Sequence, residues 1–483
     1  MNARDVLEIP EIASLDSRAS LVRIPPEIDV PLTPRVRRLV DSCAFRRLAN
    51  VSQLGLVRLV YPGANHTRFE HSLGVYRLAL LLIKRLAYEE KFVAIVDEQD
   101  AKTLILAALL HDVGHFPYCH LLEDLKIPGV VSHEEAAEEF FNDELGDLIR
   151  ADWGVDPQNV ASLIARRPPM RVENESNESF QRRQKTFRLL SSILSGPIDV
   201  DKMDYLMRDS CAAGVPYGKN YDIDRLIGSV CLNEQGDGIA ISAKGKTAAE
   251  LMVFSRYVMF SEVYWHHTSR VATVMFQRAV DRVGREIGFA KLIGDLRRLA
   301  EFEVQQYLLD ACSRKLFGDS TSPKTEQARD DVGVLEAYNL LLGLFGPQRK
   351  LFKRARQFSA LEAPELYRRI AGRPYREVEE FAALLADKFG VAPSRILVDA
   401  PPVDKEVEFK IDVYFPEENV YRPLSSVSPV VRALAREQFD DCVKRVRIFA
   451  APEVVGILKE NKRIDETIRQ TLDEFERLRQ RSV

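Results

Sequence analysis

The chain has 483 residues, room for more than one domain of ~150 residues. Its 46% hydrophobic and 29% charged residues, with 24 Gly and 24 Pro, exclude a collagenous, disordered or low-complexity chain. A net charge of −4 excludes a generally basic nucleic-acid binder, so recognition of phosphate has to be local, and six Cys with no CxxC pair point away from a disulfide framework or a cysteine zinc site and toward a reducing cytoplasm.

The first 35 residues read as an N-terminal extension without the apolar core of a signal peptide. Helical periodicity then dominates residues 36–310. From Phe69, the apolar positions Leu73, Tyr76, Leu80 and Ile83 recur every three or four residues, as one buried helix face requires. Ala101 to Leu110 is apolar almost all round, the pattern of a central helix, with Asp100 as its expected N-cap and Gly114 and Pro117 ending it. Its stretch Leu104 to Leu110 is the longest apolar run, far short of the ~18 residues that span a membrane. Further helices are expected over Glu134 to Phe141, Thr186 to Leu194, and Ala248 to about Ile287. The charged, proline-broken segment 166–185 reads as a surface loop. Val230 to Leu232 and Ile239 to Ile241 flank a Gly236-Asp237-Gly238 turn and read as a hairpin. Gly318 to Asp331 reads as a linker. Beyond it Val407, Phe409, Ile411 and Val413 alternate as in a strand, Arg445 to Ala450 is a second strand, and a charged helix from Pro452 carries Ile457, Ile464, Ile468, Leu472, Phe475 and Leu478. That stripe suits packing on its own domain or on a second copy.

Six of the eight histidines fall in residues 66–133, and His111, His115, His120 and His133 lie within 23 residues, beside Asp112. Adjacent side chains on a helix diverge by about 100°, so His111 and Asp112 reach one ion only at a helix end or edge, and the break at Gly114 supplies such an end. Together with His71 and Asp201 they make a set of two imidazoles and two carboxylates. Such a set suits Mn, Fe, Mg or Zn and leaves positions open for water or phosphate.

The pattern H71…H111-D112…D201 resembles the HD superfamily of metal-dependent phosphohydrolases. SQLGLVRLVYPG (52–63), NHTRFEHSLGVYRLA (65–79), LLHDVGHFPYCH (109–120) and IDVDKMDYLMRD (198–209) resemble, more narrowly, the SAM-and-HD-domain type of deoxynucleoside triphosphate triphosphohydrolase. The resemblance implies a mainly α HD-domain helical bundle over 36–315, with a small β-hairpin, followed by a mixed α/β region over 316–483 ending in a long charged helix. It implies that His71, His111, Asp112 and Asp201 hold a divalent metal. His115, His120 and His133 would carry proton transfer or in-line attack, with Glu123 (more often Asp in the family) orienting His120. Arg68, Lys202 and Arg256 would hold the triphosphate, Gln53, Tyr205 and Asp209 would line the sugar, and Tyr264 and His266 would close the nucleotide pocket. Asp41 matches an acidic residue at which the animal members bind an activating nucleotide, but Ala49 stands where they have arginine, so that activation is not implied.

The expected activity is cleavage of a dNTP to deoxynucleoside and triphosphate by a cytoplasmic homo-oligomer. Two alternatives stand beside it. One is an HD-type nuclease or phosphodiesterase, for which Arg166, Arg167, Arg171, Arg182 and Arg183 would be a less favoured nucleic-acid contact. The other is a non-catalytic nucleotide-binding regulator.

Overall fold

A computed structural model describes residues 3–17, 20–127, 132–318, 332–403, 410–436, 441 and 443–480. They form two compact units, each woven from separated stretches of chain. One comprises 1–116, 131–259 and 407–436, the other 117–130, 260–406 and 437–483. In chain order the units change hands near residue 260. The expected linker lies, beyond Gly318, outside the described residues.

In the first unit the N-terminal segment is core rather than appendage. Val6, Ile9 and Ile12 are buried, and the fully buried Glu11 accepts hydrogen bonds from Thr33 (2.6 Å) and Arg35 (2.5 Å). Helix α1 (Arg68–Leu86) starts where Glu70 accepts the backbone N–H of Thr67 at 2.7 Å, and it buries Leu73, Tyr76, Leu80 and Ile83 as the spacing requires. Helix α2 (Glu98–Leu110) is buried throughout its apolar half. Its N-cap is Asp97, not Asp100: Asp97 Oδ1 accepts from Asp100 N at 2.9 Å while Asp100 Oδ2 accepts from Asp97 N at 3.1 Å. The polar first turn Glu98-Gln99 hid that start from apolar periodicity.

Helix α3 (His133–Phe141) follows the expected span, with Ser132 as its cap. Helix α4 (Asn177–Ser195) corrects the loop expected over 166–185, because residues 177–185 are helical. Ser176 caps them, accepting from Ser179 N at 3.1 Å, and their polar character reflects an exposed face rather than irregular chain. Helix α5 (Val200–Ala213) is capped by Asp199 and ends at Gly214 with φ +71°. The hairpin Val230–Leu232 and Ile239–Ser242 forms as expected, and its second strand pairs in parallel with Asp412–Phe415, which pairs with Val420–Pro423. Ile411 and Val413 are buried; Val407 and Phe409 lie outside the described residues.

The single helix expected from Ala248 to Ile287 is two. Helix α6 (Lys246–Met259) runs into a π turn over Phe260–Tyr264, and a new helix, α7 (His267–Ile287), begins with the His266 ring accepting from Thr268 N. No Pro or Gly marks this break.

In the second unit the strand Arg445–Ala450 lies between Lys353–Ser359 and Ile396–Asp399, antiparallel to both. Helices α8 (Tyr375–Lys388) and α9 (Ile464–Gln480) cover this sheet, and Phe381, Ile448, Ile468, Leu472 and Phe475 share its core. The expected C-terminal helix from Pro452 is thus broken, a shorter piece (Val455–Glu460) preceding α9. Its apolar stripe packs on its own unit, leaving only Ile457 and Leu478 exposed. The mainly α class with a mixed C-terminal region holds, and no described helix is long and apolar enough to cross a membrane.

Candidate metal centre

Three elements of the first unit bring three of the expected ligands, His71, His111 and Asp201, together, with Asp112 beside them. His71 lies one turn into α1, His111 caps the C-terminus of α2 and begins the turn carrying Asp112, and Asp201 sits in the first turn of α5. His71 Nε2 is 3.2 Å from His111 Nε2 and 3.0 Å from Asp201 Oδ1. His111 Nε2 is 3.9 Å from Asp201 Oδ1 and 3.3 Å from Asp112 Oδ1. Edges near 3 Å are what bonds of about 2.1 Å make when they meet at right angles on one ion. Asp112 stands at the rim: Arg68 Nη1 holds its Oδ2 at 2.8 Å, and His115 Nδ1 lies 3.2 Å from its Oδ1.

The tautomers settle what these atoms want. His71 Nδ1 donates to Asp204 Oδ2 at 2.8 Å, and His111 Nδ1 donates to the Ala108 carbonyl at 3.0 Å. With both rings neutral, the two Nε2 lone pairs face one another, an arrangement relieved by a cation between or beside them, whether a metal ion or a proton on His71. Burial alone would lower the His71 pKa, but hydrogen bonds to Asp201 and Asp204 carry it up to about 10. Against the same burial, His71 holds Asp201 down at about 2, and Arg68 with the nearby histidines holds Asp112 well below the carboxylate range. The pocket therefore favours positive charge, and the donor set fits a divalent metal.

Asp204 has a part that the motif spacing alone did not assign. It is buried, receives His71, and is clamped by Arg208 Nε and Nη2, both at 2.7 Å. Its three-residue offset from Asp201 was the available signal, since both then face one side of α5. Gly74 makes room: a Cβ there would lie 1.8 Å from Asp204 Oδ1. Arg47, likewise unassigned, donates to the carbonyls of Val113 and His115 and so braces the turn that bears Asp112. At Gly114 a Cβ would strike the His133 carbonyl at 2.0 Å, so glycine lets this turn close on the start of α3. The His115 and His133 rings consequently lie 3.7 Å apart, centre to centre.

Of the other expected residues in the first unit, Lys202 Nζ donates to Asp199 Oδ2 at 2.5 Å, and Asp209 Oδ1 meets His66 Nε2 at 2.8 Å. Burial pushes the Tyr205 phenol up, with Arg256 opposing. Gln53 Oε1 is buried with no hydrogen-bond partner among the described residues. In the second unit His120 Nδ1 lies 3.2 Å from Glu123 Oε2, the expected pairing. Tyr264 ends the π turn of that unit, and His266 caps α7. In the basic segment Arg167 pairs with Glu138 at 2.6 Å and Arg183 with Glu175 at 2.7 Å, while Arg171 donates to the Glu175 carbonyl.

Comparison with known proteins agrees with this geometry. The HD domain family matches residues 68–208, and the HD associated region matches 221–316 and 346–467. An uncharacterized protein of Methanocaldococcus jannaschii is 27% identical over 455 residues, 93% of this chain and 82% of that one. Mouse deoxynucleoside triphosphate triphosphohydrolase SAMHD1 is 28% identical over 375 residues, 70% of this chain and 56% of that enzyme. The chain spans about half the length of several curated relatives it matches. The crystal structure of a hypothetical protein from Aquifex aeolicus superposes with a TM-score of 0.63 at 26% identity, over 91% of this chain and 98% of that one. Its HD motif, its HD-associated region and its converging imidazoles and carboxylates make this chain a member of the HD superfamily of phosphohydrolases.

Proposed function

We propose that the chain is a metal-dependent dNTP triphosphohydrolase that converts dNTP and water to deoxynucleoside and triphosphate. The observation that carries this reading is the pair of Nε2 atoms 3.2 Å apart beside Asp201, with Arg68 already bound to the neighbouring Asp112. The likeness to a mouse enzyme named for this reaction supports the choice of substrate.

His71, His111, Asp112 and Asp201 would hold the metal. Such an ion, when bound, polarises the phosphoryl group and lowers the pKa of the attacking water. Arg68, one helical turn before His71, brings a guanidinium to the same place, and Lys202 and Arg256 add positive charge against a triphosphate of about four negative charges. His115 and His133 lie ring against ring, two imidazoles available for proton transfer or in-line attack, and His120 with Glu123 forms an imidazole–carboxylate pair suited to protonating a leaving 5′-oxygen. Tyr205, Gln53 and Asp209 would bound the sugar.

Purified protein with Mn²⁺ and each dNTP should release inorganic triphosphate, and His111→Ala should abolish that release. Products limited to diphosphate or monophosphate would reject the reaction.

A further inference from the structure

We propose that a cavity formed by α4 and the turn that precedes it binds a nucleoside monophosphate, at a place that shares no residue with the metal centre. The cavity measures about 420 Å³ and lies within the first unit. Volumes of about 300–1,000 Å³ hold small ligands. Its lining along α4 is Gln184, Phe187, Arg188, Ser191, Ser192 and Ser195, a spacing that falls on one face of the helix. Arg166 and Pro168 complete it from the preceding turn.

The polar groups here are those that a phosphate ester needs, and few of them are already engaged. The Arg166 side chain is exposed and has no ion-pair partner among the described residues. Arg188 donates through Nε to Asp237 Oδ2 at 2.8 Å, which fixes the guanidinium and leaves its two Nη groups for a ligand. Asp237 is itself held in the hairpin turn by Asn233 Nδ2 at 3.1 Å. Ser191 Oγ is buried without a hydrogen-bond partner among the described residues, an unmet group that a ligand oxygen would satisfy. Ser192 is not available in this way, since it donates to the Leu189 carbonyl at 2.8 Å and accepts from Ile239 N at 3.1 Å. No carboxylate lines the cavity.

Charge and shape together narrow the ligand. Two guanidiniums, one of them shared with Asp237, suit the roughly 1.5–2 negative charges of a phosphate monoester at neutral pH and fall short of a triphosphate. Phe187 and Pro168 offer apolar faces on which a planar base can rest. Arg166 also stands in the left-handed region, with φ +54°, at the end of the helix Pro157–Ile164, where Arg167 N closes on the Ser162 carbonyl at 2.9 Å. Glycine is the usual residue of such a cap, and arginine is strained there. A binding role accounts for a guanidinium held in so unfavourable a place.

Titration calorimetry of the full chain in EDTA, with the 5′-monophosphates of adenosine, guanosine, cytidine and uridine, tests this without the metal or the reaction. At least one should bind at millimolar concentration or better, and more tightly than its nucleoside or inorganic phosphate alone. Arg166→Ala and Arg188→Ala should each weaken it about tenfold or more, the worth of one hydrogen bond to a charged group, while Arg171→Ala, outside the cavity, should leave it within about twofold. Release of triphosphate from dNTP should be unchanged in Arg166→Ala. Absence of binding by all four monophosphates overturns the proposal, and so does binding that either cavity arginine variant leaves unchanged. Equal or tighter binding of a single-stranded oligonucleotide through the same arginines also overturns it, making the segment a nucleic-acid contact. Failure of the wild-type protein to cleave any dNTP would strike at the proposed reaction alone, since the binding measurement needs neither metal nor turnover.

Discussion

Gly74→Ala tests whether the metal centre is built on close packing between α1 and α5. In an exposed helix interior this change stabilises by up to about 1 kcal/mol, because alanine is the better helix former. Here the new Cβ would lie 1.8 Å from Asp204 Oδ1 and 2.5 Å from Arg208 Nη2, where real Cβ contacts essentially never fall under 3.0 Å. The Asp204 carboxylate cannot swing aside cheaply, since it is buried, doubly bonded to Arg208 and bonded to His71. Overpacking costs about 1–3 kcal/mol and disrupting a buried ion pair about 3–5, so a net loss of at least about 2 kcal/mol is expected. Displacing Asp204 also frees the His71 ring, and second-sphere losses of this kind cost about 10- to 100-fold in metal affinity. Urea unfolding gives the first quantity and Mn²⁺ titration calorimetry the second. Gly228→Ala is the control, because nothing lies within 4 Å of its Cβ, and it should be neutral or mildly stabilising. A Gly74→Ala protein as stable as wild type, with unchanged Mn²⁺ affinity, would refute the argument.

Asp204→Asn, which keeps the shape but not the charge, should lower Mn²⁺ affinity about 10- to 100-fold by calorimetry. Asp399 in the second unit is buried between Arg270 (2.7 Å) and Arg447 (3.3 Å), so Asp399→Asn should cost about 3–5 kcal/mol in urea unfolding by leaving buried guanidinium charge uncompensated. Burial, aided by Asp97, raises Asp100 from 3.8 to about 6. A raised carboxyl pKa means the folded state binds the proton more tightly, so stability falls as pH rises from about 4 to 6 and the penalty is full above 6. The corresponding ~3 kcal/mol shrinks to about 1 for a partly exposed group. Asp100→Asn should therefore raise the melting temperature at pH 7.5 and leave it nearly unchanged at pH 4; equal effects at both would discount the titration.

How much of this was legible in the chain differs residue by residue. His71, His111, Asp112 and Asp201 were readable because ligand chemistry restricts residue type, and the helices carrying them bury regular apolar stripes. The parts played by Asp204 and by the group facing Gly74 were harder to read. A carboxylate that orients an imidazole looks in sequence like any acid on a helix, and a glycine's value lies in what faces it. Helical breaks were poorly visible where no Gly or Pro announces them: the periodicity of 248–287 passes through the π turn, and the last two helices part at Asn461, whose side chain accepts from Arg463 N at 2.8 Å within a uniformly charged stretch. The start of α4 was hidden for the opposite reason, its polar face resembling a loop although Ser176 offered a cap. Unit boundaries were least visible, because they depend on which distant stretches of chain pack together.

The parallel pairing of Ile239–Ser242 with Asp412–Phe415 bears on any attempt to dissect this protein. An expression fragment stopped near residue 315 would retain all four metal ligands yet strip two strands from the sheet beside them. The backbone of 239–242 would then be bare along one side, a template for adhesion between molecules. Such a fragment should precipitate, and its inactivity would say nothing about the catalytic groups it still contains.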